Sequence, residues 1–196
     1  MELTKRFTLV GINFSSLNGN DAIPIREAVS GEFGDGDQLQ VQNEYGSYTV
    51  LEWKNGQWYG LDSDTPATVE VKRGTGVWIV SNNASKESPV RAVVQGAVNL
   101  SDSLTTDFGN SFVIAAAGLP VDTTPNSNLF KWEGVKDGDN LQIPNEYGSY
   151  TVLQWEAGKW VGDNSTPATA KIPKESAIWL ISSSPDAKVT IDPTVL

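Results

Sequence analysis

The stretch GDQLQVQNEYGSYTVLEWKNGQWYG (Gly36–Gly60) returns as GDNLQIPNEYGSYTVLQWEAGKWVG (Gly138–Gly162), identical at 17 of 25 positions without a gap. Agreement of that length at one fixed offset marks an internal duplication. After a one-residue deletion the match continues, with Thr65-Pro66-Ala67-Thr68 against Thr166-Pro167-Ala168-Thr169 and Val77-Trp78-Ile79-Val80 against Ile178-Trp179-Leu180-Ile181. Upstream, the apolar runs that begin at Phe7 and Phe112 agree in pattern rather than in letters. The repeat boundary is placed between Asn99 and Asp107, with a first unit over 1–102 and a second over 103–196.

Within each unit, short apolar runs recur between turn residues and no window keeps a helical period. The expected fold is all-β: two tandem homologous units, each an antiparallel β-sandwich or small β-barrel. Strands are expected at 6–14, 38–42, 47–53, 57–61, 68–72, 76–81 and 90–98, and in the second unit at 111–117, 140–144, 149–155, 159–162, 169–172, 177–182 and 187–191. Asn43 to Gly46 suits a type I turn with Gly46 in the left-handed region, repeated at Asn145 to Gly148. Asn55-Gly56 is a type I′ hairpin signal, because both central residues of that turn need positive φ. Its register puts Trp53 opposite Trp58, and Trp155 opposite Trp160 around Ala157-Gly158.

A net charge of −10, with 14 basic residues scattered along the chain, argues against electrostatic binding to nucleic acid or to an anionic membrane. No apolar run reaches the roughly 18 residues of a spanning helix. Met1 to Arg6 lack a signal-peptide apolar region, so an exported chain is expected here in its mature form, with a start Met added. Histidine and cysteine are both absent, which removes Ser-His-Asp and Cys-His sites, disulfides and Zn–S ligation. No Asp-Thr/Ser-Gly loop of an aspartic protease occurs, and no Gly-rich phosphate loop opens a helix. Among 24 acids some pair could always converge, so paired-carboxylate glycoside hydrolysis stays open; the expectation is nevertheless of a chain that is not an enzyme.

Two sets of residues invite a functional reading. Trp53, Trp58, Trp155 and Trp160, flanked by tyrosines, could stack sugar rings; as structure, large aromatics on paired strands cover one end of a sandwich core. Trp78 and Trp179, inside apolar runs, read as core. Asp35 and Asp37, with Asp137 and Asp139 at the equivalent sites, offer hard oxygen ligands suited to Ca²⁺, although Gly-Asp is also an ordinary turn former. Asp62-Ser63-Asp64 is a weaker candidate. Asn13, Asn83, Asn99 and Asn164 head Asn-x-Ser/Thr sequons.

The run Gly-Asp-Gln-Leu-Gln (36–40), Tyr48 to Trp53, Gln57-Trp58 and Gly74-Thr-Gly-Val-Trp-Ile (74–79) resembles β-repeat modules of bacterial exported and cell-surface proteins, which read approximately GDQI-V, Y-W-G-W, PG-G-W-I. The resemblance covers about 34–81 and 136–182, is lost near Lys174 to Ala177, and implies export and surface display without carrying any site residue. The expected function is a non-enzymatic extracellular structural protein, self-assembling into a surface layer, filament or matrix through strand edges. The alternative is a carbohydrate-binding module that uses the hairpin tryptophans. The apolar N-terminal run 6–14 could complete a neighbour's sheet or pair within its own unit.

Overall fold

The computed structural model describes residues 1–43, 45–98, 100–116, 121–145, 147–174 and 176–195. The chain divides into two compact units, Met1–Val98 and Asn99–Leu196. Both are nearly all β, built from antiparallel sheets of which none closes into a barrel.

In the first unit a five-stranded sheet runs in the order Phe7–Gly11, Gly76–Val80, Gln38–Gln42, Tyr48–Lys54, Gln57–Gly60. The second unit repeats that order with Ser111–Ala116, Ala177–Ser182, Asn140–Pro144, Tyr150–Glu156 and Lys159–Val161. The period-2 alternation of these strands sends Leu39, Leu51, Val77 and Ile79 to one face, where all are buried. There they meet Leu3, Val29 and Ala92 from a three-stranded sheet of Glu2–Leu3, Val90–Val94 and Val29–Gly31. Leu141, Leu153, Ile178 and Leu180 meet Phe130, Val189 and Ile191 in the same way, from the sheet of Leu104–Asp107, Lys188–Ile191 and Phe130–Glu133. Each unit is thus two layers around one core, and truncating one of these buried aliphatic side chains to Ala would cost about 2–5 kcal/mol.

The central hairpins form as their turn chemistry dictates. Asn55 and Gly56 have φ of 51° and 80°, both in the left-handed region of a type I′ turn. Trp53 pairs with Trp58, while the Trp53 N–H points the other way and donates to the Asp37 carbonyl at 2.8 Å. In the second unit Ala157 takes φ 47° and Gly158 φ 85°, and Trp155 pairs with Trp160. An alanine in that region is strained where asparagine is tolerated. At the preceding hairpin the Gly46 N–H donates to the Asn43 carbonyl at 3.0 Å with Gly46 at φ 76°, as a type I turn followed by a left-handed glycine requires. Glu44 and Glu146, inside those two turns, lie outside the described residues.

Of the two pairings open to the run 6–14, the one within its own unit forms: Phe7–Gly11 pairs with Gly76–Val80, and Phe14–Ser15 with Ala97–Val98. Other expectations need correction. The strand expected at 90–98 breaks at Gln95-Gly96, where a Cβ on Gly96 would meet the Phe14 Cβ at 2.4 Å and the Ser15 carbonyl oxygen at 2.7 Å. No strand covers 169–172; Ile172 makes one isolated bridge, to Thr123. Short strands at Glu2–Leu3, Ala22–Pro24, Val29–Gly31, Leu104–Asp107 and Phe130–Glu133, and a single helical turn at Ile25–Ala28, were not foreseen. Ala117, at the end of the expected strand 111–117, and Asn99, at the edge of the expected boundary, fall outside the described residues.

Replacing Asn55-Gly56 with Val-Val is expected to destabilise the first unit by about 1–3 kcal/mol through positive-φ strain. Ala157→Asn should stabilise the second by about 0.5–1 kcal/mol by relieving it. Thermal unfolding of the full chain measures both, and an unchanged first-unit transition in the Val-Val variant would contradict the turn assignment.

Candidate functional site

The four hairpin tryptophans are core residues. Trp53 is 8% exposed, Trp58 1% and Trp160 0%, with Trp155 half-buried. Phe33, Trp53 and Trp58 form a triangle with ring centroids 4.8–5.1 Å apart, Trp53 meeting both other rings edge-to-face and Phe33 tilted against Trp58. The Trp58 indole N–H donates to the Val29 carbonyl at 2.8 Å. In the second unit Trp132 takes the place of Phe33 beside Trp155 and Trp160. Trp53, Trp58 and Trp160, buried in this way, have no open face for a sugar to stack on.

The four candidate calcium ligands are braces of the same hairpins. Asp37 is fully buried; its carboxylate accepts from the Gly34 N–H at 3.1 Å, the Ser81 hydroxyl at 2.9 Å and the Asn82 N–H at 2.9 Å. Asp139, 4% exposed, accepts from the Lys136 N–H at 2.9 Å, the Ser182 hydroxyl at 2.7 Å and the Ser183 N–H at 3.3 Å. Each ties the turn entering one central strand to the end of the neighbouring one. Asp35 and Asp137 are exposed and accept the N–H of the first turn residue, Asn55 at 3.2 Å and Ala157 at 3.0 Å. Both oxygens of Asp37 and of Asp139 thus accept donors from the chain itself, while Asp35 and Asp137 each accept the turn N–H at Oδ1. Among the described residues no group of three or more acidic side chains is gathered as a metal would need.

What the hairpins present to the outside is the other face of each five-stranded sheet. Trp78 and Trp179, expected in the core, are half-buried on this outer face, because Val77 and Ile79, or Ile178 and Leu180, alternate with them and point inward. In the first unit a row crosses four strands: Leu9 opposite Trp78, Trp78 opposite Gln40, Gln40 opposite Val50. In the second the row is Ile114, Trp179, Gln142, Val152, in the same pairing; Leu9 and Ile114, at the edge of each row, are themselves buried, at 6% and 2% exposure. Tyr48 and Tyr150 lie two residues before Val50 and Val152 on the same strand face. The tryptophan, glutamine, valine and tyrosine are thus the same residue in both units. Around them the outward positions have diverged, as Gln42 to Pro144, Glu52 to Gln154, Tyr59 to Val161 and Val80 to Ile181.

Described charged residues lie at the hairpin end of this face, Arg6 over the Phe7 ring at 5.4 Å among them. Glu52 and Lys54 are paired there at 2.8 Å, and Glu156 sits opposite Lys159 in the second unit. Phe112 stacks on Trp179 at 5.4 Å. Burial pushes the Tyr150 phenol above its ordinary range, against a smaller pull downward from the neighbouring Trp179 side chain. At the opposite end of the hairpin, Tyr45 and Tyr147 are each 84% exposed. Their loop tips are held by Asn43 and Asn145, whose side-chain oxygens accept from Tyr45 and Ser47, and from Tyr147 and Ser149, all at 3.1 Å. The strict alternation of Gly76-Val-Trp-Ile-Val was the available signal for the outward tryptophan. A separate concavity of about 330 Å³ in the first unit, lined by residues including Leu17, Ile23, Glu27 and Gln95, gathers one carboxylate and one amide.

No family model, no curated protein and no solved structure matches the chain.

Asp37→Ala, which leaves two N–H donors and a buried hydroxyl without their acceptor, should destabilise the first unit by about 2–3 kcal/mol in a denaturant titration. Because the folded-state phenol of Tyr150 lies above its unfolded value, its stabilising contribution is complete below the ordinary phenol range. It is lost as pH rises through that range to the raised folded-state value. Alkaline titration of phenolate absorbance should therefore show a late-titrating tyrosine in the wild type that disappears in Tyr150→Phe.

Proposed function

We propose that this chain is a non-enzymatic structural protein, a self-assembling subunit of an extracellular or cell-surface layer, filament or matrix. The observation that carries this proposal is the edge that each unit leaves at the end of its larger sheet. Phe7–Gly11 (FTLVG) and Ser111–Ala116 (SFVIAA) each end a five-stranded sheet and contain neither a charge nor a proline. Soluble β-proteins commonly protect such edges with Lys, Pro or a bulge, since an unprotected edge is a template for another chain. Both strands also leave a phenylalanine in the open, Phe7 at 55% and Phe112 at 41% exposure.

A structural role also agrees with the side-chain chemistry. The chain has no imidazole or thiol, and its recurrent buried aspartates are engaged in holding hairpins. Burial of Trp53, Trp58 and Trp160 weighs against the carbohydrate-binding alternative. Self-association must overcome repulsion between copies carrying −10 each, so it should strengthen as salt screens the acids or divalent cations bridge them.

Light scattering and electron microscopy over a range of protein and salt concentrations, with and without Ca²⁺, are expected to show growth of ordered particles. Phe7→Lys with Phe112→Lys, both at exposed positions, should raise the concentration for assembly roughly tenfold. A wild-type chain that stays monomeric throughout would overturn the proposal.

A further inference from the structure

We infer that the outer face of each five-stranded sheet docks on the same face of a second copy of this chain, so that every chain is a bifunctional subunit with two equivalent docking faces. This inference rests on the self-assembly proposed above and adds to the strand edges a second surface of contact. Charge is the first reason. Copies carrying −10 each can approach only where their 24 acids are not. The rows Leu9–Trp78–Gln40–Val50 and Ile114–Trp179–Gln142–Val152 hold no charged residue. The nearest face charges, Glu52 and Lys54, neutralise each other. Tryptophan and tyrosine with few charges is also the composition that separates the centre of a protein interface from ordinary surface.

The second reason is the duplication. Trp78, Gln40, Val50 and Tyr48 are contiguous, and all four recur as Trp179, Gln142, Val152 and Tyr150, with Phe7 recurring as Phe112, while Gln42, Glu52, Tyr59 and Val80 changed. Their outward, partly open positions give no packing reason for such identity at Gln40 and Val50. A surface that must fit a copy of itself does give one, because each change would have to suit both partners of an isologous contact. A primary amide is suited to this use, since it donates and accepts and so can pair with its own symmetry mate. Two sheets meeting through such faces would pack at the usual separation of about 10 Å.

Valency follows directly. With two such faces per chain, each can hold a second copy, and a chain with one face spoiled should associate more weakly than the wild type. Gln40→Glu and Gln142→Glu place a carboxylate at the centre of each face without changing shape, at outward positions where folding tolerates it. Sedimentation velocity and electron microscopy would compare the wild type, each single variant and the double variant. Unchanged thermal unfolding would confirm that all are folded. The wild type should form extended assemblies. Each single variant should need more protein to assemble than the wild type and less than the double variant. The double variant should need roughly tenfold or more protein to associate, and Val50→Lys with Val152→Lys should act likewise. A double variant that assembles like the wild type would overturn the face contact and leave assembly through edges standing. A wild type that never assembles would overturn self-assembly itself. If the double variant assembles normally but loses binding to neutral polysaccharides, the face belongs to a glycan and not to a second copy.

Discussion

Register in the central hairpins is the constraint on which everything else in each unit depends. Side chains alternate across a strand, so slipping one pairing by a single residue would exchange the buried and outward sets. The two-residue turns prevent this. With φ positive at Asn55 and Gly56, or at Ala157 and Gly158, Trp53 can face only Trp58, and Trp155 only Trp160. That choice sends the tryptophans into the core with Leu51 or Leu153, and sends Val50 and Val152 outward. The recurrent acids reinforce it from the side. Asp35 and Asp137 hold the turn N–H groups, while Asp37 and Asp139 lock the neighbouring strand ends. The second unit has lost the asparagine of its turn but kept the aspartate that braces it, which helps the same register to survive with an alanine in a strained conformation.

The buried aspartates and tryptophans show how a motif can look functional because it is repeated. Acids at equal offsets in two copies suggest a shared ligand, yet the demand they meet is internal. A turn and two strand ends leave N–H and O–H groups inside, and a carboxylate is the most compact way to satisfy three donors at once. The hairpin aromatics likewise fill one end of the core, with Phe33 completing the cluster in one unit and Trp132 in the other. Repetition in these residues reflects a shared fold. Repetition on the outward face is the observation on which the proposed docking of a second copy rests.

Much of the architecture was legible in the chain itself. The duplication, the all-β character, the central strands, and the pairing of Trp53 with Trp58 and Trp155 with Trp160 all follow from local information: alternation and the few backbone conformations open to Asn-Gly. The short strands at Glu2–Leu3, Val29–Gly31 and Leu104–Asp107 were not legible, because two to four residues carry no measurable period and acquire strand geometry only from the neighbours they pair with. Trp78 and Trp179 were placed in the core because each sits in an apolar run, although the alternation around them already separated their side from that of Val77 and Ile79.

By itself, then, the sequence determined that two copies of one hairpin-centred β unit would form, because turn chemistry and alternation act within a few residues of each other. Only the tertiary structure decided which side of each sheet would be covered. Val29, Ala92 and Leu3 in the first unit, and Phe130 and Val189 in the second, come from distant parts of the chain to bury one face. Which face closes depends on where those segments return, and it is that closure that made core residues of the hairpin tryptophans and left Trp78, Gln40, Val50 and their counterparts facing outward.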